Sequence, residues 1–218
     1  MGISLRLLGH ASFQIKASGK VIYIDLKKYG KVVEPIEKAD VILVTHGHAD
    51  HCSPEKIMKV QKEDTVIVAP ANCSKRFKGD VRSLKPDEET TVDGVKIRAV
   101  EAYNLKRFKP SGKPWHPQGY GVGYLIKAEG KTIYHAGDTD LIPEMKQLGS
   151  VNVALLPTGD KYTMDNVEAA SAALLIKPKV AIPMHTWETD PTEFKERVEA
   201  NSDTEVVVLK LNEEFHIK

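Results

Sequence analysis

Thr45-His46-Gly47-His48-Ala49-Asp50-His51 follows directly on the apolar run Val41-Ile42-Leu43-Val44. Three imidazoles and one carboxylate thus fall where a buried strand opens into a polar loop. Imidazole nitrogen and carboxylate oxygen are the donors that a divalent first-row metal such as zinc takes. In extended backbone, residues two apart project to the same side, so His46 and His48 are predicted to grip one ion together. Asp50 and His51 are adjacent and diverge, which suits a second ion close by. A lone histidine in a loop is usually a solvated turn residue. Four metal-type side chains on one short loop are not explained that way.

Working outward, the hairpin that precedes this strand recurs later in the chain. Phe13-Gln14-Ile15-Lys16-Ala17-Ser18-Gly19-Lys20-Val21-Ile22-Tyr23 aligns without gaps on Tyr124-Leu125-Ile126-Lys127-Ala128-Glu129-Gly130-Lys131-Thr132-Ile133-Tyr134. Each copy alternates apolar and polar residues around a Gly-Lys turn, the pattern of a β-hairpin. Downstream, Val41 to His48 falls opposite Val153-Ala154-Leu155-Leu156-Pro157-Thr158-Gly159-Asp160. The chain therefore reads as two copies of one β-rich unit, each ending a buried strand in a polar loop. Packed face to face, the copies would set both loops along one edge with a cleft between them.

Caps place the helices. Ser53 followed by Pro54 opens Glu55 to Gln61. Asp165 with Glu168 forms a capping box that opens a helix ended by Pro178. Asp190, Pro191 and Glu193 repeat the device before Phe194 to Ala200. Val66 to Ala69, Val95 to Val100, Val180 to Ile182, Val206 to Leu209 and Phe215 to Ile217 read as strands. This alternation fits a layered α/β fold. No linker or low-complexity tract divides the 218 residues, so one domain over 1–218 is expected.

Composition narrows the function classes. A formal net charge of +1 argues against general nucleic-acid or membrane-surface binding, and no apolar run is long enough to span a bilayer. Met1-Gly2-Ile3-Ser4-Leu5-Arg6 leads into a strand pattern and not a signal peptide. Cys52 and Cys73 form no CxxC pair, and a reduced, cytoplasmic compartment is the default. Cys52 adjoins the histidine loop and reads as a small buried thiol, not as a ligand. The sequence leaves an oligomer open.

The pattern His-x-His-x-Asp-His over His46, His48, Asp50 and His51 is the signature of the metallo-β-lactamase superfamily, which this chain resembles over nearly its whole length. The resemblance implies a four-layer αββα sandwich built from two pseudo-repeats, and a site for two divalent ions. Zinc is the first choice, with Mn2+, Ni2+ or Fe2+ as alternatives. Gly137-Asp138-Thr139 resembles the motif whose aspartate bridges both ions, and Pro183-Met184-His185 resembles the strand end that carries the last ligand. Asp138 is thus the implied bridge, and His185 joins Asp50 and His51 on the second ion. The remaining ligand of the first ion is where the chain departs from the pattern. The wider family offers a histidine after the strand equivalent to Val95–Ala102, whereas this chain has Asn104. His116 follows, between Pro114 and Pro117, which stiffen its loop; it is preferred to Asn104 because asparagine is a poor zinc ligand.

Leu8-Gly9-His10-Ala11-Ser12 resembles the opening of a subgroup that includes bacterial ascorbate-phosphate lactonase, which implies that His10 lies near the cleft. Asp25 suits a carboxylate holding a ligand histidine's other nitrogen, and His135 either does similar work or packs. His216 reads as structural. Two ions about 3.5–4 Å apart would share a water, lower its pKa and so furnish a hydroxide at neutral pH, with Asp50 orienting it. Esters, lactones and phosphodiesters all suit that attack. The basic loop Lys106-Arg107-Phe108-Lys109, with Lys113, precedes His116 and suggests a small anionic substrate held by Arg107 and Lys109; Tyr162 and Lys161 are further contact candidates. The competing class is a non-catalytic metal-binding or partner-binding protein on a hydrolase scaffold. A diiron oxygen-handling site is a weaker reading, since the acidic ligand and flavin domain usual there are missing.

Overall fold

The computed structural model describes residues 2–217. The first half supplies β1 (Ile3–Gly9), β2 (Ser12–Ala17), β3 (Lys20–Ile24), β4 (Val41–Leu43), β5 (Val66–Ala69) and β6 (Asp80–Ser83). The second supplies β7 (Glu89–Val92), β8 (Val95–Ala102), β9 (Gly121–Ala128), β10 (Lys131–His135), β11 (Val153–Pro157), β12 (Val180–Met184) and β13 (Glu205–Val206). The chain then returns as β14 (Glu214–Ile217) to pair antiparallel with β1. Two seven-stranded mixed sheets result, ordered β14-β1-β2-β3-β4-β5-β6 and β13-β12-β11-β10-β9-β8-β7.

The internal repeat is a structural repeat. β2 and β3 pair antiparallel with Ile15 opposite Ile22 and Ala17 opposite Lys20. β9 and β10 do the same with Ile126 opposite Ile133 and Ala128 opposite Lys131. Both turns place two consecutive residues at positive φ, Ser18 and Gly19 in one copy and Glu129 and Gly130 in the other, as a two-residue hairpin turn whose twist matches its strands requires. Each hairpin then adds two parallel strands, β4 and β5 in one sheet, β11 and β12 in the other.

Strand alternation sorts the core into layers. Val41, Leu43, Ile22, Ile24, Val66 and Val68 join the main core, whereas Ile42, Tyr23 and Ile67, one residue out of phase, pack with Ile57, Val60 and Cys73. The latter belong to α1 (Pro54–Val60) and α2 (Ala71–Ser74). α3 (Asn166–Ile176) and α4 (Thr192–Asn201) bury Ala169, Ala173, Phe194 and Val198 in the main core. This is the αββα metallo-β-lactamase sandwich.

Local signals acted largely as their chemistry dictates. Ser53 Oγ accepts from Lys56 N at 3.3 Å, and Asp165 accepts from Glu168 N at 2.7 Å. Ahead of α4 the expected device is displaced by one position: Pro191 stands at the cap, and Asp190 Oδ1 accepts from Thr192 N and Oγ1. The run Val206 to Leu209 forms strand only at Val206, the last pairing with Ala181, before the chain turns toward β14. The short polar strands β6 and β7 carry no periodic apolar signal and were not expected. Among the described residues no helix is long and apolar enough to cross a membrane.

Candidate metal centre

Every sequence-predicted donor sits at the carboxyl end of a strand or in the loop beyond it. His46, His48, Asp50 and His51 follow β4, Asp138 follows β10 and His185 follows β12. His116 lies between β8 and β9. Its loop is clipped to the end of β8, because Asn104 N donates to His116 O and His116 N donates to Asn104 Oδ1. Gly137 sharpens the turn before Asp138: its φ is +64°, and a Cβ there would lie 2.8 Å from Val122 O.

The donor atoms converge in three groups that could each hold an ion: His46, His48 and His116; His46, His51 and Asp138; and His10, Asp50, His51 and His185. His46 Nε2 is 3.1 Å from His48 Nδ1, which is 3.3 Å from His116 Nε2. Asp138 stands between the groups, with Oδ2 at 3.3 Å from His116 Nε2 and 3.2 Å from His185 Nε2, and Oδ1 at 3.3 Å from His51 Nε2. Donors about 2.0–2.1 Å from a tetrahedral zinc lie about 3.3 Å from one another, so these spacings match the edges that a coordination polyhedron would have. The Nε2 atoms of His51 and His185 and Oδ1 of Asp138 are buried and make no hydrogen bond. Leaving such atoms unpaired costs about 1–3 kcal/mol each, a cost a bound cation would remove. The donor set and its geometry fit a divalent metal.

Behind the donors, hydrogen bonds fix ring orientation. The wholly buried Asp25 accepts from Thr45 N at 2.8 Å, Thr45 Oγ1 at 2.6 Å and His51 Nδ1 at 2.7 Å. Thr45 Oγ1 also lies 3.0 Å from His46 Nδ1. Asn104 does not point its oxygen at the cluster; Oδ1 takes the Nδ1 proton of His116 at 2.9 Å and turns Nε2 of that ring inward. His10 lies closer to the centre than a supporting position: its side chain is 4% exposed, its Nε2 is 3.4 Å from Asp50 Oδ2, and its ring centroid is 3.7 Å from that of His185. The hydrogen bonds of His135 go to backbone. It donates to Ala11 O at 2.9 Å and accepts from Gly137 N, stapling the turn that carries Asp138. Cys52 and Cys73 are buried free thiols, and neither is among the donor groups.

The electrostatics suit cation binding. Burial pushes His46 well below its usual value and His116 to about 4, so both rings are neutral donors at physiological pH. Burial alone would raise Asp138, but His185, His51 and His116 hold it well below the usual carboxylate range. Burial would lower His51, yet the carboxylates of Asp138 and Asp25 outweigh it and raise that ring well above its ordinary value.

The basic loop is divided. Arg107 is 12% exposed and committed to carboxylates: NH1 donates to Asp140 Oδ1 at 2.9 Å and also meets Glu168, and NH2 lies 3.3 Å from Asp160 Oδ1. Lys106 is paired with Glu168 at 2.7 Å. The structure therefore does not bring Arg107 to the cluster; its charge is neutralised before a substrate arrives. Lys109 instead places its ammonium 5.4 Å from the ring centre of Trp115, the neighbour of His116. Tyr162 stands at the cleft, its ring 4.7 Å from that of Trp115. Sequence reasoning missed Thr45, which lies between Asp25 and His46, and Asp140, which holds Arg107; both sit beside recognised motif residues.

Two facing mixed sheets with a histidine-aspartate cluster at the strand ends define the metallo-β-lactamase class. Residues 4–185 match the model of the beta-lactamase superfamily domain, and the chain belongs to this family. Over 99% of its length it is 35% identical to a UPF0173 metal-dependent hydrolase of Pelotomaculum thermopropionicum and 38% identical to one of Thermococcus kodakarensis, covering 100% of each. A metal-dependent hydrolase of known structure from Parabacteroides distasonis is 33% identical and superposes with a TM-score of 0.86 over 94% of this chain and 92% of that one. Igni18, a metallo hydrolase of Ignicoccus hospitalis, is 26% identical with a TM-score of 0.80 over 100% and 99% of the two chains.

Proposed function

We propose that this chain, a metal-dependent hydrolase by family, is a dinuclear enzyme that cleaves an ester, lactone or phosphodiester of a small anionic substrate. The observation that carries the reading is the position of Asp138, whose two oxygens face His116 and His185 on one side and His51 on the other at 3.2–3.3 Å. In this reading His46, His48 and His116 would hold one ion and Asp50, His51 and His185 the other, with Asp138 placed between the two sets. Two divalent ions, zinc by preference for this nitrogen and oxygen set, would supply Lewis acidity and a water acidified toward neutral pH.

The chain's own residues do the rest. Asp50 is the most solvent-facing of the acidic donors, its side chain 31% exposed. It is held well below the usual carboxylate range, since the His10 ring 3.4 Å away and the charge of His51 outweigh its burial. It therefore stays ionised at the open side of the cluster, where it can orient an attacking water. His10, pushed down to about 4 by burial against the pull of Asp50, keeps that carboxylate in place without neutralising it. Lys109, whose ammonium lies 5.4 Å from the ring centre of Trp115 next to His116, offers positive charge for the anionic part of the substrate, and Tyr162 packs against the same ring.

The test is elemental analysis of protein purified without chelator, alongside hydrolysis of an ester, lactone and phosphodiester panel. Two ions per chain are expected, falling to about one in His116→Ala, with activity lost to chelator and restored by metal. Asn104→Ala is expected to keep both ions at lower affinity. No metal after reconstitution, or full occupancy in His116→Ala, would overturn the assignment.

A further inference from the structure

Three aromatic rings follow one another edge to face beside the metal cluster, and each has a lysine near it. Trp115, next to His116, has its ring 4.7 Å from Tyr162, whose ring is 5.8 Å from Trp187. Trp187 in turn lies 5.0 Å from His10 and 5.8 Å from His185. The row therefore passes from the His116 end of the cluster to the His185 end. Lys109 Nζ lies 5.4 Å from the ring centre of Trp115, Lys161 Nζ 5.3 Å from that of Tyr162, and Lys27 Nζ 5.8 Å from that of Trp187. Lys161 and Tyr162 are sequence neighbours and Lys109 and Trp115 share one loop, whereas Lys27 and Trp187 are brought together only by the fold.

The fold bears a cost to present Trp187. His185 and Trp187 both take left-handed backbone, each with φ 51°, a conformation that bulky residues rarely adopt. The turn also requires glycine at position 159, where a Cβ would lie 2.7 Å from Trp187 Cδ1 and closer still to the His185 carbonyl. Even so, the indole remains 49% exposed. A large ring held by strained backbone beside a metal cluster, yet left half open, is arranged for stacking and not for packing. The rings meet edge to face, at 80° between Trp115 and Tyr162 and 56° between Tyr162 and Trp187, so a ligand ring finds its flat apolar surface on the half-open indole of Trp187, with the ammonium of Lys27 close by.

From this arrangement we infer that the row is a substrate subsite for an organic anion bearing a flat unsaturated ring, the ring stacked on Trp187 and its acidic group directed to the metal cluster between Lys27 and Lys109. The inference rests on the hydrolase reading of the cluster and adds the substrate class, a phosphoryl ester of an aromatic or heteroaromatic group.

Phenylphosphonate and methylphosphonate, which share the acidic head and cannot be hydrolysed as esters, separate ring recognition from anion recognition. Trp115 and Trp187 are the two tryptophans of the chain, so intrinsic fluorescence of the metal-loaded protein reads the subsite directly, with calorimetry giving the affinity. Phenylphosphonate is expected to bind about tenfold more tightly than methylphosphonate, as stacking of a base on an aromatic side chain would give. That preference should vanish in Trp187→Ala and largely survive in Trp187→Phe, while Lys27→Gln weakens both ligands. Equal affinities, or a preference that persists in Trp187→Ala, would overturn the inference. Absence of binding by either phosphonate would overturn it as well. Metal content and turnover of neutral esters then separate the two readings: if both persist, only the subsite has failed, and if both are lost, the hydrolase assignment has failed with it.

Discussion

Replacing Asp25 by asparagine alters one charge and almost no volume, at a position where φ is +52° and asparagine is readily accommodated. Asp25 Oδ1 accepts from Thr45 N, and Oδ2 accepts from both Thr45 Oγ1 and His51 Nδ1. Asparagine can keep the first bond with its carbonyl oxygen. Its amide nitrogen then faces two groups that had been donors. The threonine hydroxyl can rotate to accept, but the His51 ring can accept only by moving its proton from Nδ1 to Nε2, the atom that faces Asp138. Metal binding at His51 would have to reverse that tautomer and forgo a charge-assisted hydrogen bond worth about 1.5–3 kcal/mol. The expected result is a loss of about 10–100-fold in affinity for the second ion, or about 1.4–2.7 kcal/mol. If the proposed first ion is present at His46, His48 and His116, its binding should be affected less, through Thr45 alone. Competition with a chromophoric chelator measures both steps, with circular dichroism as the check on folding. A change smaller than about threefold in a folded protein would refute the reasoning that Asp25 sets the His51 tautomer.

Two further outcomes are expected. In the metal-free protein, His10 and His116 are buried neutral with values lowered to about 4. Their contribution to stability is present above the unfolded value of 6.5 and is lost as pH falls through that window. His51 has the opposite sign, since its raised value makes its contribution present below 6.5 and lost as pH rises through the raised value. Tm of the metal-free protein should therefore drop between pH 6.5 and about 4, and a flat or rising Tm over that window contradicts the burial of these rings. Arg107→Ala should cost about 2 kcal/mol in chemical denaturation, because Asp140, 1% exposed, and Glu168 lose a buried partner. It should leave KM for an anionic substrate unchanged, and a raised KM with normal stability would show that Arg107 meets substrate after all.

Much of the fold was legible because its signals are local. The hairpin repeat could be read because a two-residue turn and strict alternation fix register within eleven residues, and both copies adopt that register. Ser53 and Asp165 could be read as caps because each needs only a backbone N–H three residues on. The limit appears at β6 and β7, which are short, polar and held as strands only by their neighbours. It appears again at Val206 to Leu209, where an apolar run runs out of pairing partners after Val206.

The histidine loop determined by itself that a metal centre lies beyond β4, because four donors in one short segment have no cheaper arrangement. The order of Asp138 and His185 after strand-like runs was equally plain in the chain. Only the tertiary structure decided that His116 turns its ring inward while Asn104 holds the other nitrogen, since that relation depends on a loop folding back on the end of a strand. Only packing decided that Arg107 spends its charge on Asp140 and Glu168, and that Trp115, Tyr162 and Trp187 form one row. Side chains from distant segments acquire their neighbours through the closing of two sheets, and a linear sequence carries no record of that distance.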